Sequence, residues 1–346
     1  MKLLQYEEED FLNGLTALIE NEYNLEVKKI DVMNCGNYVL TSKKEKIHVL
    51  NLDCTESHLI FINGIYDYTR EKGFKKTNKI YATAKGKKYI SFKNRFYMLS
   101  AFIEDDYQGN FPLEGNEIKF IKTMAEFHKC SMGYSPPQGG RYKCDWGKWM
   151  EKYKKQYRCL KRYREQLENK TGRSDFEENY IKYSPMFLEK MDKAIKILKQ
   201  SSYIDIVEKS MISRQIVLGS FKLSNFYIKN SDVYLKTLNK CRYDIVERDI
   251  ADFLEKIAEY DYKKGIKLIK SLIKEYEDKN CLDSNSINII KAFLIFPQEI
   301  EKVCSRFYKG KDKWSEELYL KKLLYAIDLE DRKSKIADAL SFQSFS

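Results

Sequence analysis

Strand-forming sequence in this 346-residue chain is confined to residues 37–103 and to one insert at 216–238; the remainder follows the helical period. Strands gathered at one end, with helices after them, predict an α+β protein. Its expected parts are a small mixed lobe with an antiparallel sheet and a large, mainly helical lobe. The boundaries read as 1–103 for the small lobe, 104–112 for a connector and 113–340 for the helical lobe. The strand-containing insert is expected to extend over about 216–240. The length suffices for a substantial core in either one large domain or two lobes.

Within the small lobe, Phe11, Leu15, Leu18 and Ile19 share one face of a helix expected over 7–22. Residues 37–41 and 47–52 bracket a polar turn and predict a hairpin. Thr55 is placed to cap a helix carrying Leu59, Ile62, Ile65 and Tyr66, which should stop at Gly73. A second strand pair, 88–92 and 95–103, turns at Lys93-Asn94. The order is helix, two strands, helix, two strands. The acidic, glycine-containing stretch 104–112 reads as the connector. Beyond it, helices are expected at 118–129, 146–167, 184–199, 249–260, 262–278, 288–308 and 315–329. The break at 135–140 contains Pro136, Pro137, Gly139 and Gly140, and the tail from 341 is expected to be disordered.

The N-terminal stretch is acidic, with no basic region followed by an apolar one, so a secretory signal is not expected. The longest apolar runs, such as 292–296, are too short to span a bilayer. Eight cysteines, at 35, 54, 130, 144, 159, 241, 281 and 304, form no C-x-x-C pair, and there are three histidines. The cysteines therefore read as buried, reduced thiols, with no metal site. The net charge of +11 suits an anionic partner, although enrichment in Lys, Asn, Ile and Tyr together also follows from an A/T-rich coding bias.

Two segments carry the functional signal. Leu218-Gly219-Ser220-Phe221-Lys222-Leu223-Ser224-Asn225 resembles the H-G-D-x-x-x-x-N loop of aminoglycoside-phosphotransferase-like kinases. Lys236-Thr237-Leu238-Asn239 resembles their I-D-F-D. Further matches follow in order: 59–74 resembles a helix ending in R-x-x-G-F, 95–104 a connector strand, and Met124 to His128 an L-A-x-F-H helix. Cys241-Arg242-Tyr243-Asp244-Ile245-Val246-Glu247-Arg248-Asp249-Ile250-Ala251 is similar to C-R-Y-D-x-x-x-R-D-L-A. Together these resemble the bacterial spore coat CotS family, a branch of the aminoglycoside phosphotransferase group, over residues 10–330. The resemblance implies the two-lobed protein-kinase-like fold, synthesis in the mother cell and deposition in the spore coat. It also implies other spore coat proteins as partners.

Position by position, the family's chemistry is largely missing. Asn51 stands where the nucleotide-anchoring lysine is expected, Ser220 where the catalytic Asp is, and Thr237 where the metal-binding Asp is; Asn225 is retained. A positioned base is worth about 10²–10⁴ in rate, and Ser220 is neutral and a poor base. Magnesium prefers anionic oxygen ligands, which Thr237 and Asn225 do not supply. Neither Asp232, expected in a turn, nor Asp244 is expected to substitute. Asp249 is placed to hold the catalytic-type loop, Asn225 to cap it, and His128 reads as structural. The resemblance thus implies a pseudokinase with no cofactor.

Eight basic residues, Lys148, Lys152, Lys154, Lys155, Arg158, Lys161, Arg162 and Arg164, crowd one helix, while Trp149, Tyr153, Tyr157 and Leu160 form an apolar stripe. This describes an amphipathic helix packed on the large lobe with a solvated basic face. The sharper reading is a docking face for an acidic protein or polyanion; no motif for specific nucleic-acid recognition accompanies the charge. Three functions follow: a non-catalytic scaffold of the spore coat, an atypical ATP-dependent small-molecule phosphotransferase, or a polyanion-binding module.

Overall fold

The computed structural model describes residues 2–33, 37–106, 113–310 and 314–341. Cys35, positions 107–112 of the expected connector and the tail from 342 lie outside the described residues. In chain order the first elements are α1 (Lys2–Tyr23), β1 (Val27–Val32), β2 (Tyr38–Ser42), β3 (Lys46–Leu52), α2 (Glu56–Glu71), β4 (Ile90–Phe92) and β5 (Arg95–Ala101). There follow α3 (Glu117–Ser131), α4 (Trp149–Glu168), α5 (Asp175–Gln200), α6 (Tyr203–Ile212), β6 (Ile216–Val217), β7 (Phe226–Lys229), β8 (Asp232–Leu235) and β9 (Arg242–Tyr243). The last are α7 (Val246–Glu277), α8 (Ser284–Ile295), α9 (Gln298–Lys309) and α10 (Glu316–Ser341). The chain forms two compact units. The first draws on residues up to 114 together with 134–143 and 222–241. The second draws on 115–133, 144–221 and the chain from 242 onward.

The first unit is built on a five-stranded antiparallel sheet of order β1-β2-β3-β5-β4. Strand β1 was not expected. Its VKKIDV sequence lacks strict apolar alternation because it is an edge strand with half its side chains in solvent. Lys93 and Asn94 both take positive φ in the turn joining β4 to β5, the geometry of a tight hairpin turn. Leu15, Ile19 and Tyr23 of α1 pack on Leu40, Ile47, Val49, Tyr97 and Leu99. The Thr55 hydroxyl accepts from the His58 N–H and starts α2, and Gly73 follows its end at φ +94°. β7 and β8 form a separate hairpin in this unit, closed by Asn230 and Ser231 at positive φ. Asp232 opens β8 rather than sitting in the turn, and pairs with Lys76.

The second unit is helical apart from the short β6–β9 ladder. Helix α5 begins nine residues before the expected start at 184. A capping box of Ser174 and Glu177 begins it, and it continues through Pro185. Proline removes the bond that the Ile181 carbonyl would receive, and the Ser184 hydroxyl donates to that carbonyl instead, at 3.0 Å. The segment expected as one helix at 288–308 is two, α8 and α9, divided at Phe296-Pro297. The expected break between 260 and 262 is a kink inside α7, where Asp261 leaves helical geometry at φ −149°, ψ 86°. Helix α6 had no counterpart in the sequence reading. On α4, Trp149, Tyr153, Leu160 and Leu167 are buried, with the Tyr153 ring stacked 3.5 Å from Phe296.

Seven cysteines among the described residues form no disulfide, but burial of thiols as a class does not hold. Cys241 and Cys304 are buried, Cys281 is exposed, and Cys54, Cys130, Cys144 and Cys159 are half-buried. Among the described residues no helix is long and apolar enough to cross a membrane.

Gly64 on α2 permits a close approach in the first unit. The Tyr134 hydroxyl donates to the Phe61 carbonyl at 2.8 Å, and a Cβ at position 64 would lie 2.1 Å from that hydroxyl oxygen. Gly64→Ala should therefore destabilise by about 1–3 kcal/mol, as overpacking does, even though alanine is otherwise the better helix former by about 1 kcal/mol. Denaturant unfolding should show this loss, and adding Tyr134→Phe should recover part of it.

Candidate functional site

The catalytic-type loop is held in the second unit by one buried carboxylate. Gly219 turns the chain at φ +71° after β6. Asp249, on the first turns of α7, accepts from the backbone N–H of Leu218 at 2.6 Å and of Gly219 at 3.1 Å. Its Oδ2 lies 2.9 Å from His128 Nε2, and His128 Nδ1 lies 2.9 Å from the Tyr276 hydroxyl. All three side chains are fully buried. Burial raises the Tyr276 hydroxyl pKa well above the ordinary tyrosine range. It therefore stays protonated, and the His128 ring bridges it to the Asp249 carboxylate through its two nitrogens. His128 is structural, as expected, and Asp249 holds the loop, as expected. Phe221 seats the loop between the rings of Phe120 and Phe253, at 5.9 and 5.2 Å.

From Lys222 the loop passes into the first unit. A single 3₁₀ turn, Leu223–Asn225, leads into β7. The Asn225 carbonyl accepts from the Lys236 N–H at 2.7 Å, and the Thr237 hydroxyl accepts from the Asn239 N–H at 3.3 Å. A groove of about 380 Å³ is lined by His48, Leu50, Asn51 and Leu52 of β3, with Asn37, Ser224, Asn225, Lys236, Thr237 and Asn239. Three of the four kinase-type positions, Asn51, Asn225 and Thr237, thus share one groove. No carboxylate lines it among the described residues, and Lys236 is the cation there. Burial, with Lys236 nearby, pushes the His48 pKa down to about 4, so this ring is neutral at pH 7.

The position taken for the anchoring lysine, Asn51, lies on β3. In a strand, alternate side chains face opposite ways, so Asn51 falls in register with Ile47 and Val49, which belong to the core packed on α1, while Leu50, Asn51 and Leu52 at this end of β3 all line the groove. No lysine stands on either face between 47 and 52.

Ser220 lines a different cavity, of about 220 Å³, within the second unit. Four basic and four acidic side chains surround it: Lys152, Arg242, Arg248 and Lys302, and Asp145, Asp244, Asp252 and Glu255; Trp149, Gly219 and Gln298 complete the lining. Arg242 pairs with Asp145 at 2.6 Å, and Arg248 with Asp252 one helical turn on. Trp149 Nε1 donates to both oxygens of Asp244, at 3.1 and 2.9 Å. Burial pushes the Asp244 carboxyl up to about 7, against the N–H bonds from Ile245 and Trp149. Burial also raises Asp252 to about 6, against the pull of Arg248. Asp244 accepts from the Ile245 N–H at the start of α7, and it also forms a wall of this cavity. Sequence reading missed Arg242, Arg248, Asp252, Gln298 and Lys302. The available signal was the i, i+4 spacing of Arg248 and Asp252 at the start of α7.

The eight basic residues of the expected docking face have different surroundings. Lys154, Lys161 and Arg164 pair with Glu151, Glu165 and Glu168. Lys148 lies beside Asp145 at 3.6 Å. Lys152 sits over the Trp149 ring, 4.2 Å from its centroid, and lines the cavity. Lys155, Arg158 and Arg162 remain on the exposed face without an ion pair among the described residues.

Asp249→Ala would leave two backbone N–H groups, that of Leu218 buried, and His128 without their acceptor. It should cost about 3–5 kcal/mol in unfolding free energy and speed hydrogen exchange at Gly219. Asp244 gives a pH signature. Its folded-state pKa lies above the ordinary carboxylate value of 3.8, so the folded state binds the proton more tightly than the unfolded state. The stability this contributes is fully present below about pH 4 and is lost as pH rises through about 7. Relative to wild type, Asp244→Asn should therefore gain stability between pH 4 and pH 8, by at most about 4 kcal/mol. Paired urea titrations across that range would show it.

A family model described as "Spore coat putative kinase YutH" matches residues 16–339. Spore coat protein S of Bacillus subtilis is 22% identical over 229 residues, spanning 66% of this chain and 65% of that protein, short of two thirds of its length. Among solved structures, an aminoglycoside phosphotransferase from Alicyclobacillus acidocaldarius superposes with a TM-score of 0.80 at 14% identity, covering 92% of this chain and 93% of that one. Spectinomycin phosphotransferase APH(9)-Ia superposes at 0.66 with 13% identity, covering 93% and 98%. These likenesses establish the aminoglycoside-phosphotransferase, kinase-like fold. The family match, covering nearly the whole chain, makes this protein a member of the spore coat kinase-like family that YutH names.

Proposed function

We propose that this protein is a non-catalytic structural or scaffolding component of the bacterial spore coat, a pseudokinase that engages other coat proteins. The observation that carries the reading is the lining of the groove in the first unit. Asn225 and Thr237 come together there with no carboxylate in the lining among the described residues. The Thr237 hydroxyl is already an acceptor for the Asn239 N–H. Neutral amides and a hydroxyl are a poor donor set for magnesium, which keeps carboxylate and phosphate oxygens in its shell. Phosphoryl transfer relies on metal, positioning and charge, and Ser220 offers no base of matched pKa.

One observation favours a second reading, an atypical ATP-dependent phosphotransferase. Lys236 lines the same groove and could balance phosphate charge from a strand other than β3. This arrangement supports anion contact without magnesium, and so nucleotide binding more readily than catalysis.

Purified protein incubated with magnesium, labelled ATP and a coat extract should transfer no label to itself or to the extract, and the protein should fractionate with the spore coat. Transfer that Asn225→Ala abolishes would overturn the proposal.

A further inference from the structure

The cavity beside Ser220 holds donors that the protein leaves unused. Gln298 is the first residue of α9 and is only 8% exposed, yet its Nε2 has no hydrogen-bond partner. A buried amide donor left unmet costs about 1–3 kcal/mol, so an acceptor is expected where this group lines the cavity. Lys152 lines the same cavity. Its ammonium rests on the Trp149 ring and has no carboxylate within 4 Å among the described residues. Desolvation and the neighbouring Arg248 hold its pKa below the usual lysine range. An anion would relieve both effects.

The other cations are already matched. Arg242 and Arg248 have their own carboxylates, and Lys302 pairs with Glu299. They set a polar wall without competing for a ligand. Position 220 then sets how much negative charge faces the cavity. Four basic and four acidic groups line it with serine there, burial holds Asp244 partly protonated near neutral pH, and a carboxylate at 220 would add one negative charge against any anion. The same residue that makes a poor catalytic base makes the cavity tolerant of negative charge.

We propose that this cavity binds a small anionic metabolite, by a carboxylate or phosphate group held between Lys152 and Gln298 and lying against Ser220. Its volume of about 220 Å³ is several times the roughly 30 Å³ share of a water, enough for a small metabolite. The inference does not rest on the pseudokinase reading, because it uses neither nucleotide nor metal.

The test is titration of the full-length protein with inorganic phosphate and, separately, with malonate, followed by calorimetry and by tryptophan fluorescence. At least one anion should saturate, and the preferred one identifies the group as phosphate or carboxylate. Lys152→Met and Gln298→Leu should each weaken binding about tenfold, the usual loss for a charge-assisted or buried hydrogen bond. Ser220→Asp should weaken it as well. Lys155→Met, on the exposed face of α4, should leave it unchanged. Failure of both anions to saturate by about 10 mM would overturn the proposal, as would equal losses in Lys155→Met and Lys152→Met. Unchanged thermal midpoints across the four variants separate lost binding from lost folding.

Discussion

The Asp249 carboxylate is the interaction on which the candidate site depends. It collects the N–H groups of Leu218 and Gly219 and the ring of His128 in one buried cluster. In such a setting each unmet donor is costly. What Asp249 holds is backbone, so the geometry of the loop does not depend on the side chains at 218 and 220. The loop can therefore keep its frame with leucine and serine at those positions, where the family pattern has a histidine and an aspartate.

Charge is distributed very differently in the two cavities. The groove containing Asn225 and Thr237 is polar but almost uncharged, with Lys236 as its cation. The cavity containing Ser220 is dense in charge, and most of that charge is paired internally. Arg248 meets Asp252, Arg242 meets Asp145, and Glu255 lies 3.7 Å from the fully buried Lys333 of α10. A buried ion pair costs desolvation that a hydrophobic pair would avoid, so this much buried pairing is weak as a device for stability and stronger as a device for fixing a polar wall. Glu255 and Lys333 also tie α10 to α7, and Glu330 beside Lys333 extends the same network.

Local signals were legible in the sequence where they act locally. Thr55 and Gly73 delimit α2 as their chemistry dictates, and Lys93-Asn94 and Asn230-Ser231 turn where left-handed conformations are tolerated. Legibility failed where a tertiary partner decides. β1 is an edge strand whose partner, not its own pattern, makes it a strand. Pro185 reads as a helix start until Ser184 is seen occupying the freed carbonyl. Within the site, the loop and the role of Asp249 were readable because a motif carried them. The partners of His128 lie 121 and 148 residues away, and the cavity around Ser220 draws on residues from 145 to 302. No spacing rule gathers those. Nor could sequence show that Lys152 lies over the Trp149 ring.

The central claim is that the Asn225–Thr237 groove does not assemble a magnesium–nucleotide site. Thermal unfolding with ATP, with and without magnesium, tests it most directly. A ligand present at about 100 times its dissociation constant adds about 2.7 kcal/mol, a shift of several degrees for a chain of this size. The account predicts no magnesium-dependent shift; any shift carried by Lys236 would persist in a metal chelator. A shift of several degrees that appears with magnesium and vanishes with the chelator would contradict it.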